Sequence, residues 1–169
     1  MIKVIIEGGG YNKLSVFDFD GTLFKSPLKP KNYKGNWWSN KESLSHPHVP
    51  KRPDKQFWIS ETVEAARKEI NDEKTFTMLL TGRVDIMFDE RIRRLVKQQG
   101  LSFNYIKLNS FGQDTGEFKL SQIRKVLRTF PKIKKIEMWE DEEEKAKLYS
   151  ETFSSDYSFK LNKLPWLGE

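Results

Sequence analysis

The chain has 169 residues, a formal net charge of +6, a pI near 9.4 and no cysteine. This length fits one folded unit with a substantial core, and zero cysteines exclude disulfides, thiolate metal sites and a cysteine nucleophile, leaving carboxylates, carbonyls and the two histidines as metal ligands. No stretch approaches the ~18 uninterrupted apolar residues of a membrane span, and Met1 to Glu7 is too short for a signal peptide, so the expectation is a soluble, intracellular protein, cytoplasmic and without a membrane partner.

In chain order, residues 2 to 6 read as a short strand and Gly8 to Gly10 as a break. Leu14 to Phe24 is an apolar run whose first part, 14 to 19, reads as the first core strand, and it carries Asp18 and Asp20 to its end. Side chains two apart on a strand point the same way, so the two carboxylates are expected to share one small volume. Gly21 and Thr22 then turn the chain and expose the pair at the carboxyl edge of a sheet. Two like charges this close push one pKa up unless a cation neutralises them, and with this ligand set magnesium suits best.

Residues 25 to 57 hold five of the seven prolines, with Tyr33, Trp37, Trp38, Trp58 and both histidines in or beside them, and show no helical or strand period. We read them as a functional, cap-like insertion packed by its own aromatics. Lys25 to Lys55 includes eight basic residues against Glu42 and Asp54, which is the whole of the +6 excess; the remainder balances at 22 against 22. A polyanionic partner is the natural inference, with Lys29, Lys31, Lys34, Trp37, Trp38, Lys51 and Arg52 as candidate nucleic-acid contacts. A solvated lysine-rich loop, with the tryptophans as packing plugs, is the plainer reading of the same composition.

Ser60 is the expected N-cap of a helix to about Asn71, and Thr75 to Leu80 is a β-prone run ending in Thr81-Gly82-Arg83. Phe88, Ile92, Leu95 and Val96 have helical spacing before Gly100, and Phe103 to Leu108 reads as a strand. Leu120, Ile123, Val126, Leu127 and Phe130 mark an amphipathic helix stopped by Pro131. A strand over 133 to 139, a helix opened by the acidic run 140 to 144 and an edge strand over 157 to 161 complete the chain. Alternating strand and helix means an α/β fold with a parallel sheet.

Asp18 with Asp20, Thr81, and Glu140 with Asp141 therefore fall at carboxyl ends of successive strands, with Lys119 on the intervening helix. A carboxylate nucleophile, a second carboxylate to move a proton, and a hydroxyl and an ammonium to hold phosphate oxygens make a phosphoryl-transfer site. In these residues the sequence resembles the haloacid dehalogenase-like (HAD) phosphohydrolases: Val16-Phe-Asp18-Phe-Asp20-Gly-Thr22-Leu-Phe24 resembles their first motif, Met78-Leu-Leu-Thr81-Gly-Arg83 the second, Lys119 the third and Glu140-Asp141 the acidic fourth. Within that superfamily it is most similar to the Swiss Army Knife RNA repair-like HAD domains, through Trp37-Trp38, Phe88, Arg91-Ile92, Phe118-Lys119 and Trp139-Glu-Asp141 as well.

The resemblance implies a Rossmannoid three-layer sandwich with a central, mostly parallel five-stranded sheet, as a single unit over 1 to 169 with its insertion at 25 to 57. It further implies Asp18 as nucleophile and magnesium ligand, and Asp20 as general acid/base with its main-chain carbonyl on the metal. Thr81, Gly82 and Lys119 would bind the phosphoryl group, Asp141 would complete the metal site, and Glu140 and Arg83 would support it from behind. Which of Glu140 and Asp141 touches the metal stays open, because the family more often has two aspartates or Gly-Asp there. The expected activity is a Mg2+-dependent phosphatase, working through an aspartyl-phosphate, that removes a terminal phosphate from nucleic acid in RNA end processing or repair. A phosphatase for a small metabolite or nucleotide is the alternative, and a catalytically silent nucleic-acid-binding module is the alternative of another class.

Overall fold

The computed structural model describes residues 10–110 and 112–166. The reading of residues 2 to 6 as a strand lies outside them. Five strands, β1 (Lys13–Phe17), β2 (Thr75–Val84), β3 (Tyr105–Asn109), β4 (Lys135–Glu140) and β5 (Ser158–Lys163), form one sheet in the order β3-β2-β1-β4-β5. Every pairing is parallel. Four helices supply the crossovers: α1 (Ser60–Ile70), α2 (Asp85–Gln98), α3 (Thr115–Thr129) and α4 (Glu143–Phe153).

The inner strands β1 and β2 are buried on both sides, which is why they read as largely apolar runs, whereas the edge strand β5 is only partly covered. In β1, Leu14 and Val16 pack with α3 and α4 through Ile123, Val126 and Tyr149, while Phe17 packs with α1 and α2 through Ala66, Phe88 and Ile92. The result is three layers with two cores. Phe17 stacks on Trp139 of the adjacent strand at 4.1 Å and 9°, tying β1 to β4 at the point where the strand order reverses. Ligands of doubly wound sheets bind beyond the carboxyl ends of the strands at that reversal.

Two local expectations need correction. Ser60 is the first residue of α1, and the capping position is Ile59, whose side chain makes no cap; its backbone instead donates its N–H to Leu23 O at 2.9 Å and accepts the Val63 amide at 3.0 Å. The first strand ends at Phe17 and not at residue 19. Asp18 still donates its N–H to Trp139 O at 3.1 Å, but Phe19 O then collects the amides of Thr22, Leu23 and Phe24 and closes a turn.

Between β1 and α1 the chain makes three short 3-10 turns, Trp37–Ser39, Lys41–Leu44 and Lys55–Phe57, and no longer element. Asn36, Asn40 and Asp54 cap them with side-chain oxygens on backbone amides, a local chemistry that replaces a regular ladder. Trp37, Leu44 and Val49 are buried. Among the described residues no helix is long and apolar enough to cross a membrane.

Candidate active site

A cavity of about 380 Å³ opens beyond the carboxyl ends of β1, β2 and β4. Its lining includes Asp18, Asp20, Thr81, Gly82, Arg83, Lys119, Glu140 and Asp141. Residues separated by more than a hundred positions therefore meet in one place.

Asp18 has the same parity as Leu14 and Val16, so it faces the α3/α4 side. There the second turn of α3 brings Lys119, whose Nζ lies 2.9 Å from Asp18 Oδ1 and 3.5 Å from Glu140 Oε1. Thr22 Oγ1 donates to Asp18 Oδ2 at 3.3 Å. Glu140 closes β4 and accepts the amide of Asp141 at 3.2 Å. Asp18, Glu140 and Asp141 each offer a carboxylate oxygen within 4.8 Å of the others.

The protonation states of these groups diverge. Burial would raise Asp18, but the ammonium of Lys119 and hydrogen bonds from its neighbours outweigh it and hold the carboxyl below its ordinary range. Burial, then the charge of Asp18, pushes Glu140 up to about 9 and Asp141 up to about 8. Lys119 is also buried, yet Asp18 and Glu140 raise it well above its ordinary value. One carboxyl is thus held low while burial and the charge of Asp18 outweigh, for its two neighbours, whatever Lys119 offers them. Three hard oxygen donors in this state fit a small divalent cation.

Asp20 is held differently from expectation. The pair does not share one set of partners: Arg83 Nε lies 2.9 Å from Asp20 Oδ2 and Arg83 NH2 2.8 Å from Oδ1, a two-point grip, and Ser26 Oγ also donates to Oδ1. Each carboxylate has its own cation, Lys119 for Asp18 and Arg83 for Asp20, which removes the repulsion that proximity would create. The Asp20 carboxylate accordingly stands outside the three-oxygen cluster.

Arg83 is positioned by an irregularity in β2. Thr81 pairs with Leu108 and Val84 with Asn109, so three steps on β2 match one on β3; such a bulge re-aims the side chains within it. The guanidinium is buried between the rings of Trp38 (5.1 Å) and Phe88 (4.6 Å), and its NH1 donates to Ser43 Oγ at 2.5 Å and to Trp38 O at 3.2 Å. Thr81 Oγ1 accepts the amide of Arg83 at 3.2 Å.

Two glycines are dictated by close approach. Gly21 has φ +69°, and a Cβ there would lie 2.1 Å from Asp141 Oδ2. A Cβ on Gly82 would lie 2.6 Å from Thr115 Oγ1 at the start of α3.

The insertion's candidate contacts divide. Trp37 is only 1% exposed, with Nε1 donating to Pro27 O at 2.8 Å and its ring against Tyr33 and His48, so it is a packing element and offers no face for stacking. Lys51 and Arg52 do not reach the cavity: the Lys51 carbonyl accepts from Arg91 (3.1 Å) and Gln98 (3.2 Å), which anchors this stretch against the second half of α2. Lys29, Lys31 and Lys34 are exposed and lie outside the lining. Trp38 does line it. Sequence reasoning missed Ser26 and Ser43, which hold the Asp20–Arg83 pair, and Lys145 and Trp166, which line the cavity; none sits in a pattern that marks it beforehand.

A parallel doubly wound domain with an Asp–Lys pair and an acidic cluster at its topological switch defines the general class. The chain belongs to HAD domain family 1 in Swiss Army Knife RNA repair proteins, which matches over residues 22–165. Membership implies hydrolase chemistry of the phosphatase kind in general terms. The chain is also 21% identical to a Saccharomyces cerevisiae protein named "Uncharacterized protein YMR265C", over 91% of this chain and 39% of that one, so it spans well under half of that relative's length. No solved structure matches the chain.

Proposed function

We propose that the chain is a Mg2+-dependent phosphatase that uses Asp18 as nucleophile and removes a terminal phosphate from nucleic acid. The observation that carries the chemistry is the Asp18 carboxyl group held by Lys119 Nζ at 2.9 Å in the lining of an open cavity. A carboxylate kept charged beside two that are pushed up is poised to attack.

Asp18, Glu140 and Asp141 would hold the cation through their carboxylates, with the Asp20 main-chain carbonyl as a further donor. A bound cation would supply positive charge against the phosphoryl oxygens and among the three carboxylates. Lys119 and the Thr81 hydroxyl bind phosphoryl oxygens. An Asp18 oxygen forms a bond to phosphorus as the bond to the leaving oxygen breaks, and Asp20, entering this step in its protonated form, gives that oxygen its proton. Arg83, with Nε on Oδ2 and NH2 on Oδ1, and Ser26 on Oδ1 aim the Asp20 carboxyl at that oxygen. Asp20 then takes a proton from the water that attacks phosphorus, inorganic phosphate leaves, and Asp18 is restored.

The nucleic-acid part draws on the family's RNA repair context and on the basic insertion. One observation favours the small-molecule alternative: none of the insertion's lysines or Arg52 lines the cavity. Phosphate release with Mg2+ from an aryl phosphate and from 5′- and 3′-phosphorylated RNA oligonucleotides tests both. Asp18→Asn is expected to lose three or more orders of magnitude on every substrate. A preference for an oligonucleotide end that weakens with salt supports end processing; turnover of the aryl phosphate alone supports the small-molecule reading, and no Asp18-dependent release from any substrate overturns the enzyme.

A further inference from the structure

The cavity carries apolar side chains as well as its charged groups. Among the described residues the large apolar side chains that stand exposed are Leu28 (43%), Trp38 (39%), Trp166 (49%) and Ile86, and the first three all line this cavity. Exposed apolar residues scattered singly mean nothing; gathered on the rim of one polar site they mark what that site receives.

The two tryptophans come from opposite sides of Asp18. Trp38 belongs to the insertion and rests on Arg83 of β2, one ring face on the guanidinium. Trp166 follows β5, and Leu164 just before it donates its N–H to Glu140 O at the end of β4 at 2.9 Å. Because β2 and β4 flank β1 in the sheet, the two tryptophans reach the cavity lining from elements tied to either side of the strand that carries the nucleophile. A nucleobase has a π-face for each.

Building on the phosphatase reading, we propose that Trp38 and Trp166 form an aromatic mouth that receives the unpaired base of the nucleotide bearing the scissile phosphate. The base must be unpaired, because a base inside a duplex is stacked on its neighbours and cannot present its faces to protein rings. The site would therefore select single-stranded or frayed ends and draw little from base identity. The same chemistry is offered by a free nucleotide and by a strand end.

The test measures binding in an Asp18→Asn background, so it does not depend on turnover. Fluorescence anisotropy with Mg2+ compares three probes: a single-stranded RNA oligonucleotide with a phosphorylated terminal nucleotide, the same oligonucleotide ending in a phosphorylated abasic residue, and, by competition, a nucleoside monophosphate. The base-bearing end is expected to bind between about 5- and 150-fold more tightly than the abasic one, the range for one stacked base. Adding Trp166→Ala should shrink that ratio severalfold, and Trp166→Tyr should retain most of it. Trp38→Leu in parallel probes the other ring.

No preference for the base-bearing end, or an equal loss on both ends in Trp166→Ala, overturns the proposal. Competition by the monophosphate as strong as by the oligonucleotide upholds the aromatic mouth and assigns a free nucleotide as its source. If the wild-type protein releases no phosphate while the Trp166-dependent base preference persists, the mouth stands and the phosphatase reading alone fails.

Discussion

Arg83 shows how much one side chain can organise. Its guanidinium spends its donors on Asp20, Ser43 and the Trp38 carbonyl while two aromatic rings cover its faces. A lysine ammonium carries the same charge but cannot grip a carboxylate at two points or lie flat between rings. Arg83→Lys is therefore expected to leave Asp20 with a cationic neighbour but loosely aimed. Losing a two-point ionic hydrogen bond of about 2 kcal/mol predicts a fall in kcat of roughly 30-fold with a smaller change in KM. Steady-state kinetics against thermal melting checks it; wild-type kcat in a stably folded Arg83→Lys protein would show that Asp20 needs no such positioning.

At the scale of elements, the question is what holds a segment without regular structure over a catalytic edge. The answer is α2. Arg91 donates Nε to Leu44 O (2.8 Å), NH1 to Lys51 O (3.1 Å) and NH2 to Pro50 O (2.9 Å), so a single helix residue fastens three carbonyls of the insertion. Below it, Phe24 and Trp58 close the base of the insertion through edge-to-face packing at 4.9 Å and a backbone bridge. Arg91→Ala leaves those carbonyls partly unpaired and should cost about 1–3 kcal/mol. Limited proteolysis should then cut first within residues 25–57, and protection there equal to wild type would show that the aromatic base alone holds the insertion.

At the scale of the whole molecule, the acidic cluster couples folding to pH and to metal. A carboxyl raised in the folded state costs stability wherever it would be ionised when unfolded, so Glu140 and Asp141, pushed to about 9 and about 8 from ordinary values of 4.5 and 3.8, weaken the metal-free fold progressively as pH rises through that window. Asp18, held low, acts in the opposite sense: its contribution is present above its ordinary value near 3.8 and is lost as pH falls further. In chelator, the melting temperature should therefore fall between about pH 5 and pH 9. Mg2+ should raise it most at the alkaline end, with proton release near neutrality visible by titration calorimetry in buffers of different ionisation heat. A melting temperature in chelator that climbs from pH 5 to pH 8 would contradict the crowding of the three carboxylates.

The sequence by itself determined the architecture and the chemically active stations, because both are written in short-range pattern. A short β-prone run such as Thr75 to Leu80, closed by Thr81-Gly82, reads as a strand, the spacing from Leu120 to Phe130 reads as a helix with one buried face, and Asp18-Phe-Asp20-Gly-Thr22 needs no distant information to be read as a turn carrying carboxylates. The tertiary structure alone decided how those stations are partnered. Asp20 and Arg83 are 63 positions apart, Arg83 and Ser43 are 40, and Trp166 enters the site from beyond the last strand. The insertion is where local pattern ran out: with no period to follow, its course depends on capping side chains and on Arg91, and those bonds carried Trp38 to the cavity, buried Trp37 and took Lys51 and Arg52 away from it.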